Sequence, residues 1–195
     1  MNKGTITLIV VVGLLGLIAM NAMSSFNGMT MASENVDGQW GNVETQYQRR
    51  FDLIPNLVAT VQGYADVEKE TLIAVTEARA AALGAMKKAG ESGDVSEFDK
   101  STVVLGGAMR GLFGYTEQYP DLKSNQGFLD LQVQLEGTEN RITKARTDYN
   151  ETVKSYNKKV KVFPGKFWAS LFGFEGKNYF ESTAEAATAP TVSFE

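Results

Sequence analysis

Five charged side chains, Arg50, Glu68, Arg79, Glu139 and Arg146, fall on apolar faces when helical steps of about 100° are counted along the sequence. Guanidinium and carboxylate groups so placed have two uses. They pair with one another and fix helix register, or their surplus arginine forms a site for an anion or a peptide carboxylate. Either use requires partners, because taking an ionised group out of water costs several kcal/mol unless it is paired and hydrogen-bonded. Asn157 and the hydroxyls of Tyr47, Tyr149 and Tyr156 are available as further partners. Arg49, next to Arg50, falls on the opposite side of the same helix and is expected to face water.

Other chemistries are removed by composition. The 195 residues contain no cysteine and no histidine, so thiol nucleophiles, imidazole bases, disulfides and thiolate or imidazole metal ligands are absent. Carboxylate-bridged metal sites in helical bundles draw on Glu-x-x-His pairs, and these need histidine. No carboxylate pair stands in a recognisable catalytic context. The glycine-rich stretch GGAMRGLFG lies within a helical pattern and follows no strand, unlike a phosphate loop. The expectation is a protein that is not an enzyme and carries no cofactor and no metal. A net charge of −4 and a pI of about 5.1 argue against nucleic acid as a partner.

The elements that must hold these charges are helices. Residues 5–23 form an uncharged run of the length a helix needs to cross a bilayer. A cleaved signal peptide is the alternative reading, with small residues at 30–32, but that site lies well past the apolar run. Lys3 precedes the run, and no lysine or arginine follows it until Arg49. The charge rule then puts the amino terminus inside and the larger part outside the cytoplasm. Ser33 is expected to cap a second helix, on which Trp40, Tyr47, Ile54 and Val61 recur every seventh residue and Pro55 forces a kink or split. Asp66 is expected to cap a helix with an inward stripe of Leu72, Val75, Ala82 and Met86. Asp94 and Glu97 read as a capping box opening a third, with Phe98, Leu105, Leu112 and Tyr119 inward. From Pro120 one helix of about 40 residues is expected, carrying Phe128, Leu135, Ile142, Tyr149, Tyr156 and Phe163 in a coiled-coil-like repeat. The fold class is therefore all-α: a single N-terminal transmembrane helix, then a long antiparallel four-helix bundle, then a short C-terminal helical segment. The expected divisions are 1–27 for the anchor, 28–164 for the bundle, 165–181 for an aromatic segment and 182–195 for a flexible tail.

Two stretches, residues 40–80 (WGNVETQYQRRFDLIPNLVATVQGYADVEKETLIAVTEARA) and 119–164 (YPDLKSNQGFLDLQVQLEGTENRITKARTDYNETVKSYNKKVKVFP), closely resemble the LemA family, and the likeness extends from Phe26 to Phe172. Its elements Gln-Arg-Arg, Leu-Ile-Pro-Asn-Leu-Val, Tyr-Pro-Asp-Leu, Ala-Arg and Tyr-Asn occur in order. The resemblance implies a single-pass bacterial membrane protein with an antiparallel helical bundle and no known catalytic residues. Genes of the family often lie near membrane zinc proteases and quality-control proteins, which implies a scaffold or adaptor role by association alone. This chain departs from many relatives at Ala65-Asp66-Val67-Glu68, where they carry Ala-x-His-Glu.

The segment 163–180 is unusually aromatic, with Phe167, Trp168, Phe172 and Phe174 crowded behind the last long helix. It is expected to fold over the end of the bundle as a short helix, or else to meet a membrane surface or a partner. With Arg49 these four aromatics make up a candidate interaction surface. The expected partners are membrane lipid through the N-terminal helix, further copies of the chain in a homo-oligomer, and a membrane protein. The expected location is the bacterial inner membrane, with the bundle on the periplasmic side.

Overall fold

A computed structural model describes residues 2–64 and 69–181. Among these residues all regular structure is helical: α1 (Lys3–Tyr64), α2 (Lys69–Ser92), α3 (Ser96–Thr116), α4 (Pro120–Lys123), α5 (Gln126–Lys161) and α6 (Gly165–Phe172). The chain divides into two compact units. The first contains Met1–Gly38 and Glu151–Lys177, and the second contains Gln39–Asn150 and the residues from Asn178 onward.

In the first unit, α1 begins as the apolar run, with a mean hydropathy of 2.4 over its most apolar window and none of that window buried. Ile9, Leu14 and Leu17 all lie open, as in a helix made to be covered by something other than its own chain. Burial becomes periodic only at Met29, Ala32 and Val36, and Val153, Tyr156 and Val160 of α5 and Ala169 of α6 are buried in the same unit, where Lys159 also donates to the Gly28 carbonyl at 3.1 Å. No cap forms at Ser33, because the backbone is already helical there and α1 passes through without a break. The expected boundary at that serine is thus corrected. A cap serves only a helix that starts, and nothing stops this one. After α6, Gly173 takes the left-handed conformation at φ 77°, and the Phe174 N–H closes the helix end on the Ala169 carbonyl at 2.9 Å.

The second unit is the four-helix bundle, built from residues 39–64 of α1 with α2, α3 and residues 126–150 of α5. Contacts fix the directions. Trp40 meets Tyr149 and Arg50 meets Glu139, so α1 and α5 run antiparallel. Trp40 approaches Gly90 while Phe51 is met by Arg79, so α1 and α2 do too. The α2–α3 turn closes on Gly93 at φ 72°, and Phe113 on Phe128 makes α3 antiparallel to α5. The centre is aromatic: Phe98 receives Tyr47 edge-on at 4.7 Å and Trp40 at 5.5 Å, and Phe180 packs against Tyr149 at 5.2 Å. Gly90 has a local reason, since a Cβ there would stand 3.2 Å from the Trp40 indole nitrogen.

Several boundaries differ from expectation. Asp94 binds the Ser96 N–H at 2.9 Å in a turn ahead of α3, Val95 takes the N-cap place without a side-chain cap bond, and Glu97 turns to Lys88 at 3.1 Å, so the expected capping box does not form. Helix α3 ends at Thr116, leaving Tyr119 in extended backbone ahead of Pro120 and off the α3 stripe. The residue before a proline is pushed out of the helical region, which explains that break. The single long helix expected from Pro120 is instead the four-residue α4, then α5, whose start Asn125 caps through its side-chain oxygen on the Phe128 N–H at 3.0 Å. Phe163 lies beyond α5 and is 83% exposed, so it does not continue the inward repeat. Asp66 and the tail 182–195 lie outside the described residues.

Pro55 does not split α1. A proline in mid-helix deprives the carbonyl four residues earlier of its donor, here that of Phe51. Arg79 of α2 donates its Nε–H to that carbonyl at 2.7 Å, replacing the lost bond with one between helices.

Candidate functional site

The charges that bear on function are set by α1, α3 and α5 of the second unit. Arg50 leaves α1 between buried Val43, Ile54 and Leu57, and its side chain is 15% exposed. Its Nη1 donates to Glu139 of α5 at 2.5 Å, and its Nη2 approaches the Met109 sulfur at 3.7 Å. Glu139 is 56% exposed, so this pair opens to solvent at its acidic end. Two turns along α5, Arg146 donates Nη2 to Asp99 of α3 and to the Glu181 carbonyl, both at 2.8 Å, and Nη1 to the Tyr47 hydroxyl at 3.3 Å. Its guanidinium also covers the Phe180 ring at 4.6 Å. The second Asp99 oxygen accepts the Glu181 N–H at 2.9 Å, so one aspartate holds both the arginine and the returning chain.

The five sequence candidates therefore separate. Arg50 and Glu139 form one pair, Arg146 pairs with Asp99, and Arg79 serves the Phe51 carbonyl. Glu68 lies outside the described residues. Asp99, 8% exposed, was not among the candidates. It reads as an ordinary first-turn acid of a helix, and the residues that bury it are far away in sequence. Asn150 was missed likewise. It donates to the Phe180 carbonyl and accepts the Phe180 N–H, both at 2.9 Å.

Between the two pairs lies an open cleft of about 660 Å³. Its floor is apolar, with Met109, Phe113 and Leu135, and its walls carry Arg50, Arg110, Glu136 and Glu139. Beside it Val103, Val104, Leu129 and Val133 are exposed. Among the described residues there is no group of three or more metal-ligating side chains. Asp94 is held down to about 2 by hydrogen bonds from the Asn178 and Ser96 side chains and the Ser96 backbone. Burial, with Asp37 and Glu175 nearby, raises Tyr156. Neither group lines the cleft. An apolar floor with charged walls of both signs suits a helical or extended peptide segment.

The other candidate surface belongs to the first unit, apart from Arg49, which stands exposed on the α1 part of the second. Trp168 stacks on Phe172 at 6.0 Å and donates its indole N–H to Asn21 at 2.8 Å. Phe26 meets Phe172 at 5.2 Å and Phe174 at 5.6 Å, both edge-on. Phe167 touches Trp168 at 5.0 Å and stays 59% exposed. Asn157, offered above as a partner for core charges, instead brackets the backbone of Lys177, donating at 2.8 Å and accepting at 2.9 Å. The Tyr156 hydroxyl donates to the Glu175 carbonyl at 2.7 Å.

Residues 39–194 match the sequence model of the LemA family. The match begins later than the likeness read from the sequence and leaves out the apolar run. Distant similarity extends to a protein named Magnetosome protein MamQ 2 of Paramagnetospirillum magneticum, 24% identical over 202 residues, covering 93% of this chain and 74% of that one. Magnetosome protein MamQ of Magnetospirillum gryphiswaldense is 23% identical over 201 residues, with 92% and 74% covered.

Proposed function

Since this chain belongs to the LemA family of membrane-anchored helical proteins, we propose that it is a non-enzymatic scaffold that assembles with copies of itself at the bacterial inner membrane, its bundle on the periplasmic side. The cleft between α3 and α5 carries this reading. Exposed Val103, Val104, Leu129 and Val133 beside a charged groove make a surface that water does not favour and a neighbouring bundle covers well. The groove holds both arginine and glutamate, so an identical chain supplies complementary charges. The distant relatives agree with a role in a cellular structure, since their names tie them to the magnetosome and state no reaction. Crosslinking in native membranes from Val103→Cys and Val133→Cys tests the proposal, because the chain has no other thiol. Self-crosslinked ladders and a large species after gentle detergent extraction are expected. A strictly monomeric protein refutes it.

The cleft also supports a second reading, an adaptor for a membrane protease or envelope quality-control complex. The groove sets apolar Met109, Phe113 and Leu135 among charged side chains of both signs, which suits an amphipathic segment of a foreign protein. Capture of one foreign membrane protein without self-crosslinks decides for the adaptor.

A further inference from the structure

We infer that α6 is a membrane-contacting foot, whose outward Phe167 and Leu171 lie in the lipid interface beside the span of the same chain. Their exposure is the first observation. Phe167 and Leu171 stand four apart on α6 and are 59% and 63% exposed, as is Phe163 at 83% just ahead of the helix, whereas Ala169 on the inner face of α6 is 2% exposed. A short helix that buries one face and shows phenylalanine and leucine beside exposed Lys166 and Ser170 carries an apolar stripe with a polar edge, the pattern of a helix lying in a membrane interface.

Its level relative to the span is the second observation. Trp168 is hydrogen-bonded to Asn21, and Phe172 packs on Phe26 one turn or so further along the same helix. Asn21 is the first polar side chain after the run that begins beyond Thr7. A bilayer core of about 30 Å takes about 20 helical residues, so a span over residues 5–23 brings Asn21 to the edge of the hydrocarbon. An indole bonded there, with phenylalanines beside it, occupies the depth at which aromatic side chains gather in membrane proteins. Exposed Lys161 and Lys166 flank the stripe and reach headgroup phosphates from that depth. Lipid is the occupant because the apolar surface of α6 continues that of the span, through exposed Met23 and Phe26.

The inference rests on the anchor in α1 and is independent of self-assembly. Its test places a nitroxide on single cysteines at Phe167, Leu171, Leu15 and Lys87 of the full-length protein, in vesicles of phosphatidylethanolamine with a minor share of phosphatidylglycerol; Lys87 on α2 is 82% exposed and lies away from the cleft. Collision with oxygen, which concentrates in lipid, is compared with collision with a water-soluble nickel chelate. The labels at Phe167 and Leu171 are expected to favour oxygen several-fold, less than Leu15 and opposite to Lys87. Leu15 in lipid with Leu171 as open to nickel as Lys87 overturns the foot and leaves the anchor standing. Labels at Phe167 and Leu171 shielded from both reagents mean that protein covers α6, which also overturns it. Trp168 gives a second check in the Trp40→Phe background, where it is the sole tryptophan: lipids brominated near the glycerol end of their chains quench its emission if the foot is seated, and no quenching refutes it.

Discussion

If Arg79 exists to serve the carbonyl that Pro55 leaves without a donor, the two residues must be energetically coupled through that carbonyl. The Arg79 Nε–H lies 2.7 Å from the Phe51 carbonyl, and Phe51 is fully buried. A hydrogen bond involving a charged group contributes about 1.5–3 kcal/mol, and a buried carbonyl left without it bears the cost of its lost hydration. Arg79→Met keeps the length of the stem and removes the donor, so in the natural background it is expected to cost about 2 kcal/mol. In the Pro55→Ala background the alanine N–H bonds the same carbonyl within the helix. The Arg79→Met substitution then orphans nothing and is expected to cost under about 1 kcal/mol, a coupling of at least about 1 kcal/mol. The assay is urea unfolding of the full-length chain and the three variants in detergent micelles, followed by helical circular dichroism. Equal costs of Arg79→Met in both backgrounds, within about 0.3–0.5 kcal/mol, would show that Arg79 acts through packing alone and refute the reasoning.

Two further outcomes are expected. The fold holds the Asp94 carboxyl at about 2 against an ordinary 3.8, so the ionised form is the favoured one and its contribution is complete above 3.8 and lost as pH falls toward 2. The gap in urea midpoint between wild type and Asp94→Ala should therefore be level above pH 3.8 and close below it, and a gap undiminished at pH 2 contradicts this. At Gly165 a Cβ would stand 2.1 Å from the Lys159 carbonyl oxygen, whereas at Gly28 it would meet only the Lys159 ammonium at 3.8 Å. Gly165→Ala should accordingly cost about 1–3 kcal/mol and loosen Trp168, read by its fluorescence in the Trp40→Phe background, while Gly28→Ala leaves both unchanged.

What the sequence revealed and what it hid follow from range. The apolar run, the inward stripes of α1 and α2 and the inward turn of Arg50 are periodic signals within a few turns, and each is visible in local spacing. The start of α5 was misplaced because Ser124 and Asn125 interrupt a stripe whose phase resumes undisturbed, so periodicity alone bridges the gap. Asp99 was hidden for the opposite reason, since only the return of residues 178–181 makes it a buried anchor. The Arg79 contact left a trace that was readable: a proline inside one helix implies an orphan carbonyl at Phe51, and an inward arginine on the adjacent helix is a fitting donor. The pairing of the core charges remained out of reach because it depends on the relative register of three helices.

The asparagines that seat the C-terminal segment have a corollary for its side chains. Asn157 grips both polar groups of the Lys177 backbone, and Asn150 does the same at Phe180. A carboxamide used in this way imitates a neighbouring β-strand for a single residue and is blind to the side chain it holds. Proline is the one residue it rejects, having no N–H to offer. The two seats therefore fix the path of the backbone, while the choice of side chain in each is left to other contacts: the Phe180 ring is held by the aromatic centre and the Lys177 ammonium by Asp37.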